Sequence, residues 1–299
     1  MLNANIRTNQ PISMKPFEYI STKSINEATQ VLSEYKQDAR VLAGGTDVLI
    51  ELRRPHAKIP KAILDISYIE SLNGISESDG LIILKPLSTH TQILKSDLVR
   101  KYAQLLGIAA SQIGAPQIRN RGTVGGNVMN AATCADTVPP LIALDAEITL
   151  RSNGGSRTMK LVDFFIKPYK TKAESDDVLI EITFPKLPSN AQSAFIKLGR
   201  RNALSISRLS VAAILMQDKK GLISEARIVP GAALPTWMRV KEAEEMLIGE
   251  KPSLKLFTAA GQKVSEVMIS YTGRRWSTEY KEPVIGVLVR RALEGCVKD

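Results

Sequence analysis

Within the first 70 residues, the spacing of apolar side chains changes from a strand period to a helix period and back. After Ser24, which stands three residues before Glu27 as in a capping box, apolar residues recur every three or four positions. Short runs of apolar β-type residues lie on both sides of this segment, so the order predicts a β-α-β unit. The predicted strands are 17–20, 40–42 and 62–66, and the predicted helices are 25–35 and 48–52.

Hairpins and short helices are predicted for the middle of the chain. Asp79-Gly80 and Asn153-Gly154 are turn dipeptides between apolar runs. The stretch from Glu147 onward is rich in alternating β-type residues, whereas the stretch before it has helical spacing. The predicted strands are 72–75, 81–84, 148–150 and 178–184, and the predicted helices are 89–94, 98–113 and 141–144.

The last third of the chain predicts three strands followed by three helices. Pro185 and Pro188 mark the linker before it. A chain of 299 residues is near the size at which single cores divide, so we expect an α+β protein with several units. The predicted strands are 195–198, 211–216 and 223–229, and the predicted helices are 241–248, 253–269 and 280–297. The predicted units are a polar extension at 1–13, α/β subdomains at 14–70 and 71–188, and a C-terminal α/β domain at 189–299.

Two glycine-rich segments are the strongest candidates for chemistry. The first glycine loop is residues 41–47 (Val-Leu-Ala-Gly-Gly-Thr-Asp), and the second is residues 121–127 (Arg-Gly-Thr-Val-Gly-Gly-Asn). Glycine lets backbone N–H groups approach a ligand, and successive N–H groups form a nest for an anion such as a diphosphate. A single Gly-Gly pair is usually an ordinary turn, but two with these neighbours favour a split diphosphate site. Asp47 and Asp136 suit ribose or ribityl hydroxyls, because a carboxylate repels an anion.

Other phosphate-binding and catalytic motifs are absent from the sequence. There is no G-x-x-x-x-G-K-[ST] and no G-x-G-x-x-G, and the second glycine loop has a different spacing without a clear helix pattern behind it. His56 and His90 are far apart and no G-x-S-x-G is present, which argues against a serine hydrolase. A dinucleotide would therefore bind by a route different from the Rossmann one.

Composition limits the remaining classes of function. The chain is 44% apolar and 23% charged, as in globular proteins, and it has no apolar run long enough to span a membrane. Residues 1–13 lack the apolar core of a signal peptide, so we expect a cytoplasmic protein. The two cysteines and two histidines are scattered along the chain and cannot form a CxxC-type zinc site or a four-cysteine iron–sulfur site, so no metal site is expected. The net charge of +10 raises nucleic-acid binding, but the basic residues are scattered doublets, so no nucleic-acid partner is expected.

With these motifs the sequence resembles the FAD-binding, medium subunits of molybdenum hydroxylases. This is the family of xanthine dehydrogenase and of the carbon monoxide and nicotinate dehydrogenases, and the resemblance runs from about Met14 to the C-terminus. The motifs that carry it are both glycine loops with the preceding residues 116–120, then Ala135-Asp136, Phe195-Ile196-Lys197, and Arg275-Trp276-Ser277 with Tyr280.

The resemblance implies a fold and a set of site residues. The fold is a PCMH-type (p-cresol methylhydroxylase-like) FAD-binding domain of two α/β subdomains, followed by a CO dehydrogenase flavoprotein C-terminal domain. Lys197 would lie near the flavin, although a solvent-facing lysine on an edge strand is the alternative, and Leu179 would make a backbone contact. The implied cofactor-binding residues are Val41, Leu42, Ala43, Gly44, Gly45, Thr46, Asp47, Thr123, Val124, Gly125, Gly126, Asn127, Asp136, Leu179 and Lys197.

The function that the resemblance implies is electron relay. A large molybdopterin subunit would hydroxylate the substrate, and a small subunit with [2Fe–2S] clusters would pass electrons to FAD on this chain and then to NAD⁺ or another acceptor. One alternative is a stand-alone PCMH-type flavin oxidoreductase with its own small-molecule substrate, and another is a basic scaffold without a cofactor. Cys134 is interpreted as a packing residue. Four arginines are expected to face the diphosphate or a pyridine nucleotide, with a solvated surface position as the alternative: Arg119, Arg121, Arg200 and Arg201.

Overall fold

The computed structural model describes residues 16–201 and 203–297. The predicted extension at 1–13 lies outside them. The N-terminal unit is a three-stranded parallel sheet in the order β1-β3-β2. Ser24 caps its first helix by accepting a hydrogen bond from the Glu27 N–H, as the capping pattern predicts. Its elements are β1 (Glu18–Ser21), α1 (Ile25–Tyr35), β2 (Ala39–Leu42), α2 (Val48–Leu52) and β3 (Ala62–Asp65).

The second unit is built on a five-stranded antiparallel sheet, in the order β4-β5-β10-β6-β7. The strand predicted at 72–75 is wrong. The Asp79-Gly80 turn pairs Ser78 with Leu81, so the first strand must end at Ser78, and Leu72 lies in a preceding 3₁₀ turn. The strands are β4 (Ile75–Ser78), β5 (Leu81–Leu84), β6 (Glu147–Ser152), β7 (Gly155–Lys160) and β10 (Val178–Pro185), with a small hairpin of β8 (Phe165–Lys167) and β9 (Lys170–Thr171).

Seven short helices belong to this unit, and they correct two of the sequence expectations. The single helix predicted at 98–113 is two helices, because Ala103 leaves the helical region with φ −152° and ψ 46°. The second glycine loop also begins a helix, contrary to expectation. The helices are α3 (His90–Lys95), α4 (Asp97–Tyr102), α5 (Gln104–Ser111), α6 (Pro116–Arg119), α7 (Val124–Asn130), α8 (Val138–Ala143) and α9 (Leu161–Phe164).

The C-terminal unit is a three-stranded antiparallel sheet covered by helices, as predicted. Its two long helices approach closely at Gly261 and Gly286. A methyl group on Gly261 would lie 3.0 Å from the Gly286 carbonyl carbon, so glycine is needed there for the backbones to come this near. The elements are β11 (Ala191–Leu198), β12 (Leu209–Gln217), β13 (Ile223–Gly231), α10 (Lys241–Glu245), α11 (Leu254–Thr272) and α12 (Thr278–Gly295).

One apolar core joins the second and C-terminal units. Phe195, Ala212 and Trp237 of the C-terminal unit pack in the same cluster as Leu141 and Phe184 of the second. A separate cluster lies between the C-terminal sheet and α11 and α12. Within the described part of the chain, no helix has the length and apolar character needed to cross a membrane.

Candidate flavin-binding site

The first glycine loop connects the end of β2 to the start of α2. Gly45 has φ +75°, a conformation that glycine adopts without strain. Its carbonyl accepts a hydrogen bond from the Leu49 N–H at 3.1 Å, so the chain turns directly into the helix. Asp47 lies at the helix start, and burial raises the pKa of its carboxyl group.

The second glycine loop is held by the N-terminal cap of α7. Thr123 is the N-cap residue, and its hydroxyl accepts a hydrogen bond from the Gly126 N–H at 3.1 Å. The Gly125 N–H donates to the Pro86 carbonyl at 2.9 Å, and a methyl group on Gly125 would lie 2.7 Å from that oxygen. Glycine is therefore required at 125 because α7 starts against the backbone before α3.

The two glycine loops are in direct contact. A methyl group on Gly44 would overlap the Arg121 carbonyl oxygen and lie 2.7 Å from its carbon. On the far side, a methyl group on Gly122 would lie 3.1 Å from His90 Cδ2. The His90 N–H donates to the Gly122 carbonyl at 3.1 Å, so the second loop lies between the imidazole and the first loop.

Both loops line one cavity of about 510 Å³, within the 300–1,000 Å³ range typical of small-molecule sites. Of the residues predicted to hold the cofactor, only Leu42 and Val124 do not line it. Leu42 pairs with Asp65 in the parallel sheet, and Val124 is fully buried in the apolar core. Asp136, Leu179 and Lys197, which are distant in sequence from the loops, complete the wall.

A buried ion pair closes the cavity wall between the second and C-terminal units. Lys197 Nζ lies 2.6 Å from Asp136 Oδ2, and each side chain is 7% exposed. The same ammonium donates to the Gln112 carbonyl at 2.9 Å, and the Ser207 hydroxyl donates to Asp136 Oδ1. Burial raises the pKa of the Asp136 carboxyl group, and Lys197 and Ser207 oppose that rise. The solvent-facing alternative for Lys197 is wrong, although β11 is an edge strand.

His90 is a cavity-lining residue that the sequence analysis did not select. The residue is 3% exposed, and its Nδ1 atom has no hydrogen-bond partner among the described residues. Burial, together with the nearby positive charge of Arg119, lowers the pKa of His90 to about 4, so the imidazole is neutral at pH 7. Ser207 and the Gln112 carbonyl were also missed, because no motif marks residues that approach only through tertiary packing.

The structure also places the residues whose roles were left open. Arg119 donates to the carbonyls of Ile113 and Gly114, and its guanidinium therefore holds the turn before α6. Arg201 likewise donates to backbone carbonyls in its own loop. Cys134 is partly exposed on the cavity wall, and burial raises the pKa of its thiol. Among the described residues, no three His, Cys, Asp or Glu side chains come together as a metal site.

The residues present fit a dinucleotide such as FAD. Glycine at 44 and at 125 lets each loop pack closely against neighbouring backbone, at Arg121 and at Pro86, and both loops reach the same cavity. Lys197 supplies hydrogen-bond donors farther along the same wall, and the wall itself is largely apolar, as suits a ring system.

Comparison with known proteins decides the family. Residues 15–187 match the FAD binding domain in molybdopterin dehydrogenase, and residues 194–296 match the CO dehydrogenase flavoprotein C-terminal domain. The chain belongs to the FAD-binding subunits of the molybdenum hydroxylase family. This confirms the predicted family, the α+β fold with a PCMH-type FAD domain and a C-terminal domain, the assignment as an oxidoreductase flavoprotein, and FAD as its cofactor.

Individual relatives match almost the whole length of this flavoprotein subunit. It is 34% identical over 279 residues to the nicotinate dehydrogenase FAD-subunit of Eubacterium barkeri, covering 92% of this chain and 94% of the relative. It is 32% identical over 281 residues to the xanthine dehydrogenase FAD-binding subunit of Escherichia coli O157:H7, covering 93% and 95%. Among solved structures, carbon monoxide dehydrogenase from Hydrogenophaga pseudoflava superposes with a TM-score of 0.88 at 28% identity, covering 94% and 97%.

Proposed function

We propose that FAD bound in this cavity, with its diphosphate at the two glycine loops, carries electrons from the [2Fe–2S] clusters of a small partner subunit, supplied by a large molybdopterin subunit, to NAD⁺. The observation that carries the proposal is the contact between Gly44 and Arg121, which brings the two glycine loops together at one cavity. The residues 14–70 and 71–188 would form the two halves of the FAD domain.

Each part of the wall has its own task in this proposal. The backbone N–H groups of the first loop would bind the diphosphate, because its glycines line the cavity and bring successive N–H groups together in one short segment. The second loop would lie beside the diphosphate, since the N–H groups of residues 124–127 already donate within the protein. Asp47 would accept hydrogen bonds from sugar hydroxyls, and Lys197 would contact the flavin. The backbone of Leu179 would hold the ring system against the apolar part of the wall.

The names of the relatives support the multi-subunit part of the proposal. They include an FAD-subunit of nicotinate dehydrogenase and a medium chain of carbon monoxide dehydrogenase from Hydrogenophaga pseudoflava, which is 29% identical over 277 residues. We also propose a cytoplasmic location. Both cysteines are free thiols, Cys134 and Cys296, as is usual in a reducing compartment.

Cofactor binding is tested by the visible spectrum of the purified full chain. We expect flavin absorption bands, with FAD released on denaturation. Gly44→Ala should abolish FAD retention because the added methyl group overlaps the Arg121 carbonyl oxygen. Gly154→Ala is the matched control, since its methyl group would lie 3.7 Å from the nearest side-chain atom, in a hairpin turn away from the cavity. A wild-type chain that cannot be loaded with FAD would contradict the proposal.

The acceptor is tested in the assembled complex. The complex is reduced with its substrate, and NADH formation is followed after NAD⁺ is added. Reoxidation by NAD⁺ at the rate of turnover supports the proposal. Reoxidation by oxygen or a quinone, with NAD⁺ inert, would show that the acceptor was wrongly chosen while leaving FAD binding intact.

A further inference from the structure

The Lys197 ammonium has one N–H donor without an acceptor among the residues that the structure describes. An ammonium group carries three N–H donors. Asp136 and the Gln112 carbonyl accept two of them, and no third acceptor is found among the described residues. Because the side chain is 93% buried and lines the cavity, the third donor is directed by default at whatever occupies the cavity.

The charge of Lys197 is largely compensated where it lies. Its partner Asp136 is 2.6 Å away and equally buried, so beyond a few ångströms the pair acts as a dipole rather than as a net cation. Ser207 fixes the other carboxylate oxygen of Asp136, which prevents the carboxylate from rotating away from the lysine. Both charged side chains line the cavity, so each contributes to the potential inside it.

We propose that Asp136, held by Ser207, offsets the charge of Lys197 and thereby lowers the reduction potential of the FAD that Lys197 contacts. This rests on the proposed function, in which FAD lies in this cavity. Two-electron reduction of FAD with uptake of one proton adds one negative charge, so a nearby cation favours the reduced form and a nearby anion disfavours it. Asp136 and Ser207 are then positioning residues that act through Lys197.

The proposal predicts potential shifts of opposite sign. Asp136→Asn leaves the lysine uncompensated, so the midpoint potential of bound FAD should rise. Lys197→Met leaves the carboxylate uncompensated, so the potential should fall. In each case we expect at least a tenfold change in the reduction equilibrium, which for a two-electron couple is about 30 mV. The double variant, Asp136→Asn with Lys197→Met, removes both charges and should return close to the wild-type potential.

The measurement is spectroelectrochemical titration of the full chain loaded with FAD. The control is Asp145→Asn, which removes a carboxylate from another ion pair between the same two units, away from the cavity, and should leave the potential unchanged. If Lys197→Met does not fold, Asp136→Asn and the double variant still give the sign. Shifts of the same sign, or no shift, in variants that retain FAD would overturn the inference. Failure of the wild type to bind FAD would instead overturn the proposed function.

Discussion

Two ion-pair clusters among the described residues join the FAD-binding and C-terminal parts of this subunit, and they differ in how far their charged groups are exposed to solvent. At the cavity, one lysine and one aspartate are both 7% exposed and have their own hydrogen-bond partners. At the remote junction, Arg227 and Arg239 share Asp145, which is 37% exposed. Arg227 also donates to the Ala143 carbonyl at 2.8 Å.

The difference in exposure indicates which of the two ion-pair clusters has a role besides holding the two parts together. A partly exposed carboxylate shared by two arginines tolerates the loss of one partner, because water and the other arginine remain. A buried pair is costly to form and more costly to break, and replacing both charges by apolar groups is often neutral. Its presence on the cavity wall therefore calls for a role in the cavity, whereas the remote junction needs none.

The largest effect is expected from breaking the cavity pair on one side. Lys197→Met should lower the free energy of unfolding by about 3–5 kcal/mol, since it leaves a buried carboxylate without a counter-charge. Adding Asp136→Asn should recover most of that loss. Denaturant titration of both variants measures it. A double variant as unstable as the single one would show that the lysine acts by packing alone.

A second test measures the free energy of unfolding as a function of pH. His90, which lines the cavity, should contribute a pH dependence to which the remote junction does not add. Its folded-state pKa of about 4 lies below the ordinary 6.5, so between these values the unfolded chain binds a proton that the folded chain does not. The free energy of unfolding should therefore fall as the pH falls from 6.5 to 4, by about 3 kcal/mol in full. Comparing the pH profile of the wild type with that of His90→Gln isolates this contribution. Parallel profiles would contradict it.

Breaking the remote junction should lower the free energy of unfolding by less and should not change FAD binding. Arg227→Met removes an ion pair with Asp145 and hydrogen bonds to Glu225 and the Ala143 carbonyl, so we expect a loss of about 2 kcal/mol in stability. The dissociation constant of FAD, measured by flavin fluorescence, should stay at the wild-type value. Weakened FAD binding in this variant would contradict the conclusion that only the ion pair at the cavity affects the cofactor.

The smallest effect is expected at Ser207. Ser207→Ala removes one hydrogen bond to Asp136 but keeps both charges, so stability should fall by about 1 kcal/mol. FAD should dissociate a few-fold faster, because Lys197 is held less firmly. Stopped-flow measurement of FAD release checks this.

The first glycine loop and most strands could be predicted from the sequence, because turn dipeptides and alternating apolar residues act locally. The helix at the second loop could not. Two glycines in its first turn lower helix propensity, and the Thr123 cap and the Pro86 carbonyl compensate only after folding. The break at Ala103 is also unmarked, since neither glycine nor proline stands there.

Within the site, the local and the non-local contributions separate in the same way. Gly44 and Gly125 belong to motifs that can be recognised in the sequence, but the contact of Gly44 with Arg121 forms only in the tertiary structure. Ser207 lies in a segment without any motif, and only the position of β12 beside Asp136 gives it a partner. His90 is a lone histidine whose neutrality depends on burial, which composition does not reveal.

The apolar cluster that Phe195, Ala212 and Trp237 share with Leu141 and Phe184 has a consequence for biosynthesis. A nascent chain that has emerged only as far as residue 188 lacks part of its own interior, and its exposed apolar face would favour aggregation. The boundary between the two matched domain families, after residue 187, therefore does not separate two independently folding units. A chimera that takes its C-terminal segment from a relative should fold only when the contact residues on both sides of the shared cluster come from the same protein.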